Sequence, residues 1–292
     1  MLVVGGLVAV IAAVAGGYLW HGGHLILLWQ PAEFLIIGGA AIGILLSGTP
    51  MPVLHDLVRQ LKRLFTPPPG HQDYKDLLAM LYQLFRLAQS TGAMALEPHF
   101  DKPAESVVLS KYPAFLARQS SLAFLGDSVR IIVSGSIAPH DLEHLMYEDL
   151  EIRQREALMP TNTLLKVGDA LPGLGIVAAV LGVVITMQAI DGSPSEIGHK
   201  VGAALVGTFL GILLSYGFVQ PVAASLEHRV MEEFHFDQAI KAAVLALHKG
   251  FAPAIAVEFA RRAIPEEARP TFEETEEICR NARAETSQAA AA

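Results

Sequence analysis

Long apolar segments alternate with charged segments along this chain. Four apolar segments, in two close pairs, contain no Asp, Glu, Lys or Arg: residues 2–20, 34–54, 170–190 and 201–226. A helix needs roughly 20 apolar residues to cross a hydrocarbon core about 30 Å thick. Because only helices and closed barrels satisfy their own backbone hydrogen bonds in lipid, the pattern predicts four transmembrane helices.

The second apolar segment ends in residues that disfavour a helix. Gly48, Thr49, Pro50 and Pro52 follow one another closely. Proline removes a backbone donor and glycine costs conformational entropy, so we expect the helix to stop near Ser47.

Helical periodicity also marks the charged segments. Residues 74–91 place apolar side chains at helical spacing before Gly92, and helices are predicted over 122–133 and, after Pro139, over 141–157. The last residues, 274–292, show no core pattern and are expected to be disordered. With no strand pattern anywhere, the prediction is an all-α protein.

These patterns divide the sequence into four parts. Residues 1–54 carry transmembrane helices 1 and 2, 55–169 form a helical cytoplasmic insert, 170–226 carry transmembrane helices 3 and 4, and 227–292 form a cytoplasmic helical extension and tail.

Basic residues lie almost entirely on one side of the apolar segments. The insert holds 12 of the 21 Lys and Arg residues, the tail holds 8, and Lys200 is the remaining one. Cytoplasmic loops are enriched in Lys and Arg, so we expect a multi-pass inner-membrane protein with both termini and the insert in the cytoplasm.

The amino-acid composition argues against some classes of function. Apolar residues make up 52% of the chain, and the net charge of −8 leaves no broad basic face for nucleic acid. The single cysteine, Cys279, excludes an internal disulfide. No cofactor motif with its required structural context is present, so none is predicted.

One short motif suggests metal chemistry. His140, Glu143 and His144 match the H-x-x-E-H pattern of inverted zinc peptidases, in which two His on one helical face hold the metal and Glu activates water. No further ligand stands out, so a solvated face of an acidic helix is the favoured interpretation and a membrane zinc peptidase the remote alternative.

Small residues recur at a four-residue spacing in two of the apolar segments. The pairs are Gly39 with Gly43 and Gly207 with Gly211. This spacing lets helix backbones approach closely, and predicts helix packing at these glycines.

Ionisable residues are absent from the interiors of the apolar segments. Glu33 and Asp169 occur only at segment ends. Because intramembrane ionisable groups mark proton and ion pathways, a protein of this kind that moves protons would need a carboxylate from a partner chain.

Several sequence stretches, in chain order, resemble the motility protein A (MotA) family, which is more distantly related to ExbB and TolQ. They are residues 16–19 (GGYL), 30–33 (QPAE), 167–172 (VGDALP), 175–180 (GIVAAV), 206–214 (VGTFLGILL) and 252–262. The resemblance covers residues 1 to about 280.

The resemblance implies a stator subunit of the bacterial flagellar motor and no enzymatic activity. In that family, a ring of five A chains in the membrane lipid surrounds two helices of the partner MotB, each carrying a proton-binding aspartate. Proton flow turns the rotor through the protein FliG.

The family's proton-pathway residues map onto four positions. Pro172 and Pro221 match prolines that shape helices three and four, and Thr208 matches a threonine that faces the partner aspartate. Ala179 stands where sodium-driven relatives have threonine; alanine offers no oxygen to a hard cation, so the resemblance implies proton coupling.

The family's rotor contact is matched less fully. Glu97 matches the glutamate of an Arg and Glu pair, but Gln89 stands where the arginine is expected. Arg86, one helical turn earlier, is predicted to supply the charge. The alternative function is a proton-channel subunit of an ExbB/TolQ-like energy-transducing complex, which normally has three spans.

Overall fold

The computed structural model of the protein describes residues 2–135, 137–188 and 193–289, and over these residues its regular elements are all helices, with no β-strand. These residues form α1 (Leu2–Trp20), α2 (Pro31–Gly48), α3 (Met51–Arg63), α4 (His71–Thr91), α5 (Glu97–Asp101), α6 (Pro113–Leu116), α7 (Gln119–Val133), α8 (Pro139–Met187), α9 (Pro194–Leu214), α10 (Gln220–His248), α11 (Pro253–Ala263) and α12 (Phe272–Ala289). Short 3₁₀ turns connect some of them. The predicted all-α class is confirmed.

The chain divides into two compact units. The first, here the apolar unit, comprises Met1–Thr66 and Ala157–His228; the second, here the polar unit, comprises Pro67–Glu156 and Arg229–Ala292. Helices α8 and α10 each contribute residues to both units.

Four helical stretches in the described part of the chain are long and apolar enough to cross a membrane. They are Leu2–Trp20, Leu25–Gly48, Pro139–Met187 and Pro194–His248. Helix α1 coincides with the first apolar segment, and α2 ends at Gly48, one residue beyond the expected stop. A new helix, α3, begins after Pro50, whose fixed φ suits a position just before a helix.

Helix α8 is one continuous helix of 49 residues, and this corrects the expectation of a separate helix over 141–157. The helix begins at Pro139, as predicted, but passes through Pro160 and Pro172 without ending. Each interior proline removes only one hydrogen bond of a long ladder, and tertiary packing can maintain the helix around it.

The fourth apolar segment contains a change of helical winding. A π-helical turn, Ser215–Val219, joins α9 to α10 just before Pro221. Because Pro221 has no backbone N–H, the carbonyl of Gly217 lacks its α-helical donor. The Ser215 hydroxyl donates to the carbonyl of Gly168 on α8, at 2.7 Å, which fixes the turn against that helix.

The polar unit has its own hydrophobic core. Buried side chains from α4, α7, α8, α10 and α11 form it, among them Leu77, Leu81, Phe85, Phe124, Leu125, Met146, Phe236, Ile240, Val244 and Val257. Helix α4 covers the predicted range and stops before Gly92, whose φ of 92° suits a residue without a side chain. Helix α7 likewise covers the predicted 122–133.

Helix α12 covers residues 274–289 of the segment that was expected to be disordered; residues 290–292 lie outside the described residues. Helix α12 packs on α4, with Ala282 buried and Cys279 against the core. Glu274 accepts an ion pair from Lys75 at 2.6 Å. The sequence pattern did not reveal this helix because its apolar face is narrow and built from small residues.

Candidate functional site

Helices α8 and α9 of the apolar unit touch backbone to backbone, and glycines make the contact. A Cβ atom at Gly211 would lie 2.6 Å from the carbonyl oxygen of Leu171, and one at Gly175 would lie 2.7 Å from the carbonyl oxygen of Gly207. Real Cβ atoms do not approach backbone this closely. Larger residues at these positions would therefore force the helices apart.

The predicted glycine pairs have different surroundings. Gly207 and Gly211 are buried at the α8–α9 contact, whereas Gly39 and Gly43 on α2 are exposed. Within the described residues, no atom lies within 4 Å of a Cβ built at Gly39 or Gly43. The α2 pair makes no close packing inside this chain.

Three of the four predicted proton-pathway residues, Thr208, Ala179 and Pro172, lie at or beside the α8–α9 contact. Thr208 is half-buried and directly follows Gly207, where a Cβ atom would lie 3.1 Å from the backbone nitrogen of Ala179. Pro172 lies inside α8 next to Leu171, whose carbonyl touches Gly211. Pro221 is exposed on α10, beyond the π turn.

Glu33 is a residue of this contact that sequence reasoning did not find. Only 7% of its surface is exposed, and its Oε2 has no hydrogen-bond partner among the described residues. The carboxylate lies against Gly207 and Gly182. Its spacing from buried Ile37 and Ala41 was the available signal, because residues i, i+4 and i+8 share one helix face.

The predicted rotor-contact residues lie in the polar unit. Glu97 is exposed at the first residue of α5, and Gln89 is exposed near the end of α4. Arg86 is half-buried one turn before Gln89 on the same helix. Residues three apart on a helix are neighbours, so Arg86 and Gln89 share a face of α4.

The side chains of the H-x-x-E-H motif are exposed and pair with other side chains. Lys249 pairs with Glu143 at 2.9 Å and lowers the pKa of that carboxyl by hydrogen bonding, while His144 lies 3.9 Å from Glu148. No group of three or more His, Cys, Asp or Glu side chains suited to a metal occurs in the described part of the chain. The motif lies on the surface of α8, as the favoured interpretation expected.

Two family models match the chain. Residues 4–92 match the model described as motility protein A N-terminal, and residues 117–237 match that of the MotA/TolQ/ExbB proton channel family. Motility protein A of Salmonella typhimurium is 41% identical over 284 residues, which cover 97% of this chain and 96% of that protein. The chain belongs to the motility protein A family.

Other members of the family show the same extent of similarity. Motility protein A of Escherichia coli is 41% identical over 281 residues, or 96% of this chain and 95% of that protein. Chemotaxis protein LafT of Vibrio parahaemolyticus is 38% identical over 272 residues, or 93% and 95%.

Solved structures of the family share the fold. The structure of C. jejuni MotAB matches with a TM-score of 0.76 at 18% identity, covering 92% of this chain and 98% of that one. The flagellar MotAB stator complex from Bacillus subtilis matches with a TM-score of 0.71 at 22% identity, covering 87% and 91%.

Family membership defines the general function. The chain is a stator subunit of the flagellar motor, and an inner-membrane protein of a proton channel family rather than an enzyme family. The prediction made from the sequence is confirmed at this level.

Proposed function

We propose that the chain forms, together with MotB, a proton channel that couples proton flow to rotor torque. Five copies surround a dimer of MotB helices in the lipid bilayer. The observation that carries this proposal is the similarity to motility protein A over nearly the whole chain. The fold match to MotAB structures supports MotB as the partner.

The proposed topology has four spans with both termini and the large insert in the cytoplasm. The boundaries are those of the sequence: spans in 1–54 and 170–226, cytoplasmic parts in 55–169 and 227–292. The one-sided distribution of Lys and Arg supports this orientation. The polar composition of the second compact unit agrees with a cytoplasmic location.

Thr208 is proposed to meet the proton-binding aspartate of MotB. A hydroxyl donates one hydrogen bond and accepts others, so it can hold a carboxylate or relay its proton. The half-buried position of Thr208 beside the α8–α9 contact supports this role. Ala179 supplies no oxygen ligand there, which favours protons over sodium.

Pro172 and Pro221 are proposed to shape the two helices that border the proton pathway. The π turn before Pro221 supports a helix that changes its winding during the cycle, because such turns often occur at functional sites. One proton crossing the membrane potential releases roughly 2.3 kcal/mol per 100 mV. That energy is available to drive each conformational step.

Arg86, Gln89 and Glu97 are proposed to face the rotor protein FliG. The exposure of Gln89 and Glu97 on the polar unit supports contact with a partner. An ExbB/TolQ-like complex remains the second candidate because one matching family model includes those proteins. The match of residues 4–92 to the motility protein A N-terminal model favours the motor.

The test is motility in a strain that lacks its own copy of this stator gene. Thr208→Ala removes the hydroxyl and should abolish swimming while leaving flagella and membrane insertion intact. Thr208→Ser keeps the hydroxyl and is the matched control that should swim. Pro172→Ala should also paralyse the cells, because it restores the backbone N–H donor that Pro172 lacks inside α8.

Two outcomes would count against the proposal. Normal swimming of both the Thr208→Ala and Pro172→Ala strains would show that these residues are not needed for torque generation. If the unaltered chain supported swimming only when sodium was added, the prediction of proton coupling, which rests on Ala179, would be wrong.

A further inference from the structure

Glu33 is a buried carboxylic acid inside the helix contact of the apolar unit. It belongs to the first turn of α2, and its Oε2 has no hydrogen-bond partner in the described part of the chain. With 7% of its surface exposed, Glu33 is buried within the described part of the chain.

Small residues of α8 and α9 create the space for this carboxylate. A Cβ at Gly207 would lie 2.5 Å from Oε2 of Glu33, and one at Gly182 would lie 3.6 Å from Oε1. At Gly182 the same Cβ would lie 2.7 Å from the Cβ of Ala204. The neighbours that these distances identify, Gly207 and Gly182, offer the carboxylate no side-chain hydrogen-bond donor.

Two opposing effects act on the protonation of Glu33. Burial away from water, with Oε2 lacking a hydrogen-bond partner among the described residues, penalises the ionised form. The N-terminal end of α2, whose backbone N–H groups point toward this first turn, favours the anion. A carboxyl group under both influences can bind a proton and also release it.

Position along the helices connects Glu33 to the proposed pathway. It contacts Gly207, the residue before Thr208, and its other neighbour, Gly182, lies near the C-terminal end of α8, which finishes at Met187. In the proposed topology that end is external, as is the turn that precedes α2. Glu33 is thus closer to the outside than Thr208 is.

We propose that Glu33 is a proton-binding residue of this chain, placed on the external side of Thr208. On uptake, a proton from external water forms an O–H bond with Oε2. On release, that bond breaks and the proton passes inward toward the next acceptor, so no oxidant or reductant is needed. This inference rests on the proposed function, in which the inward acceptor is the aspartate of MotB.

The experiment compares two variants of the full chain, produced together with MotB. Glu33→Gln keeps the shape but cannot exchange a proton, and Glu33→Asp keeps a titratable group. Glu196→Gln is the matched control, because Glu196 is also a third-position carboxylate of an apolar helix but is exposed. Readouts are rotation of tethered cells across a range of external pH and co-purification with MotB.

A lost proton-transfer group typically lowers a rate by about 100-fold or more. Glu33→Gln should therefore assemble with MotB but stop detectable rotation, while Glu33→Asp rotates with an altered pH profile and Glu196→Gln rotates normally. Normal rotation of Glu33→Gln would overturn the proposal. If even the unaltered chain drove no rotation, the proposed function would fail instead.

If Glu33→Gln does not assemble with MotB, infrared spectroscopy of the purified unaltered and Glu33→Asp complexes tests the proposal instead. The carbonyl stretch of a protonated carboxyl should appear and disappear with pH in the unaltered complex. In Glu33→Asp that band should shift. Identical pH-dependent spectra for these two complexes would show that Glu33 does not exchange a proton, and the proposal would be wrong.

Discussion

At the scale of single residues, one ion-paired cluster links α11 to the segment that precedes α12 in the polar unit. Glu258 on α11 accepts from Arg261 at 2.7 and 2.8 Å and from Arg262 at 2.8 Å. Arg261 also donates to the carbonyl of Pro270, just before α12 begins. A bidentate pair of this kind is stronger than an ordinary surface ion pair.

This cluster predicts a specific dependence of stability on pH. The Arg261 and Arg262 guanidinium groups lower the pKa of Glu258 from 4.5 to about 2, mainly through the hydrogen bond from Arg261. A depressed folded-state pKa contributes stability that is complete above pH 4.5 and is lost as the pH falls toward 2. Because most of the pair is shielded from solvent, Glu258→Gln should cost on the order of 1–3 kcal/mol at pH 7.

The measurement is thermal unfolding of the full chain in detergent, followed by circular dichroism. The loss of stability in Glu258→Gln should be clear at pH 7 and much smaller near pH 2. Glu276→Gln, at an exposed position of α12, is the control and should behave like the unaltered chain. An equal loss at both pH values would contradict the ionic explanation.

At the scale of helices, backbone contact between α8 and α9 determines which glycines tolerate substitution. On an exposed helix, Gly→Ala normally stabilises by about 1 kcal/mol, because alanine has the higher helix propensity. At Gly211 the added Cβ would meet the Leu171 carbonyl oxygen at 2.6 Å. We therefore expect Gly211→Ala to destabilise by about 1–3 kcal/mol through overpacking.

Gly202 provides the matched control on the same helix. A Cβ there has no described atom within 4 Å, so Gly202→Ala should be neutral or slightly stabilising. Both variants are compared by membrane level and by thermal unfolding in detergent. Equal stability of the two would mean that α8 and α9 can separate without cost, which would rule out the packing role of Gly211.

At the scale of the whole molecule, charge on the polar unit is proposed to select the rotor as partner. Electrostatic complementarity influences specificity and association rate more than affinity, so reversing a charge should weaken the contact without unfolding the chain. Glu97→Lys and Arg86→Glu should each reduce swimming speed and co-precipitation with FliG. Glu276→Lys, on exposed α12, is the control for added positive charge.

Motility restored by a compensating change on FliG would be the most informative result of these charge reversals. A reversed charge on FliG that rescues Glu97→Lys would identify the facing residue. If both reversals left motility and FliG binding unchanged, the proposed contact would be wrong. Retained rotor binding in Arg86→Glu alone would show that Arg86 does not replace the family's arginine.

The predictable parts of the fold are those encoded by neighbouring residues. The four apolar stretches, the end of α2 at Gly48, the start of α8 at Pro139 and the stop of α4 before Gly92 all follow from local composition and spacing. The resemblance to motility protein A also identified the family. These features can be predicted without knowing which distant residues pack against each helix.

Tertiary structure decided the features that depend on residues far apart in sequence. Glu33 is buried because Gly182 and Gly207, which follow it by about 150 and 175 positions, make room for it, and α12 packs on the surface of α4. Pro160 and Pro172 do not end α8, and a π turn accommodates the absence of a backbone N–H at Pro221. Local sequence specifies what each segment prefers, while burial and packing between distant segments determine which preferences are kept.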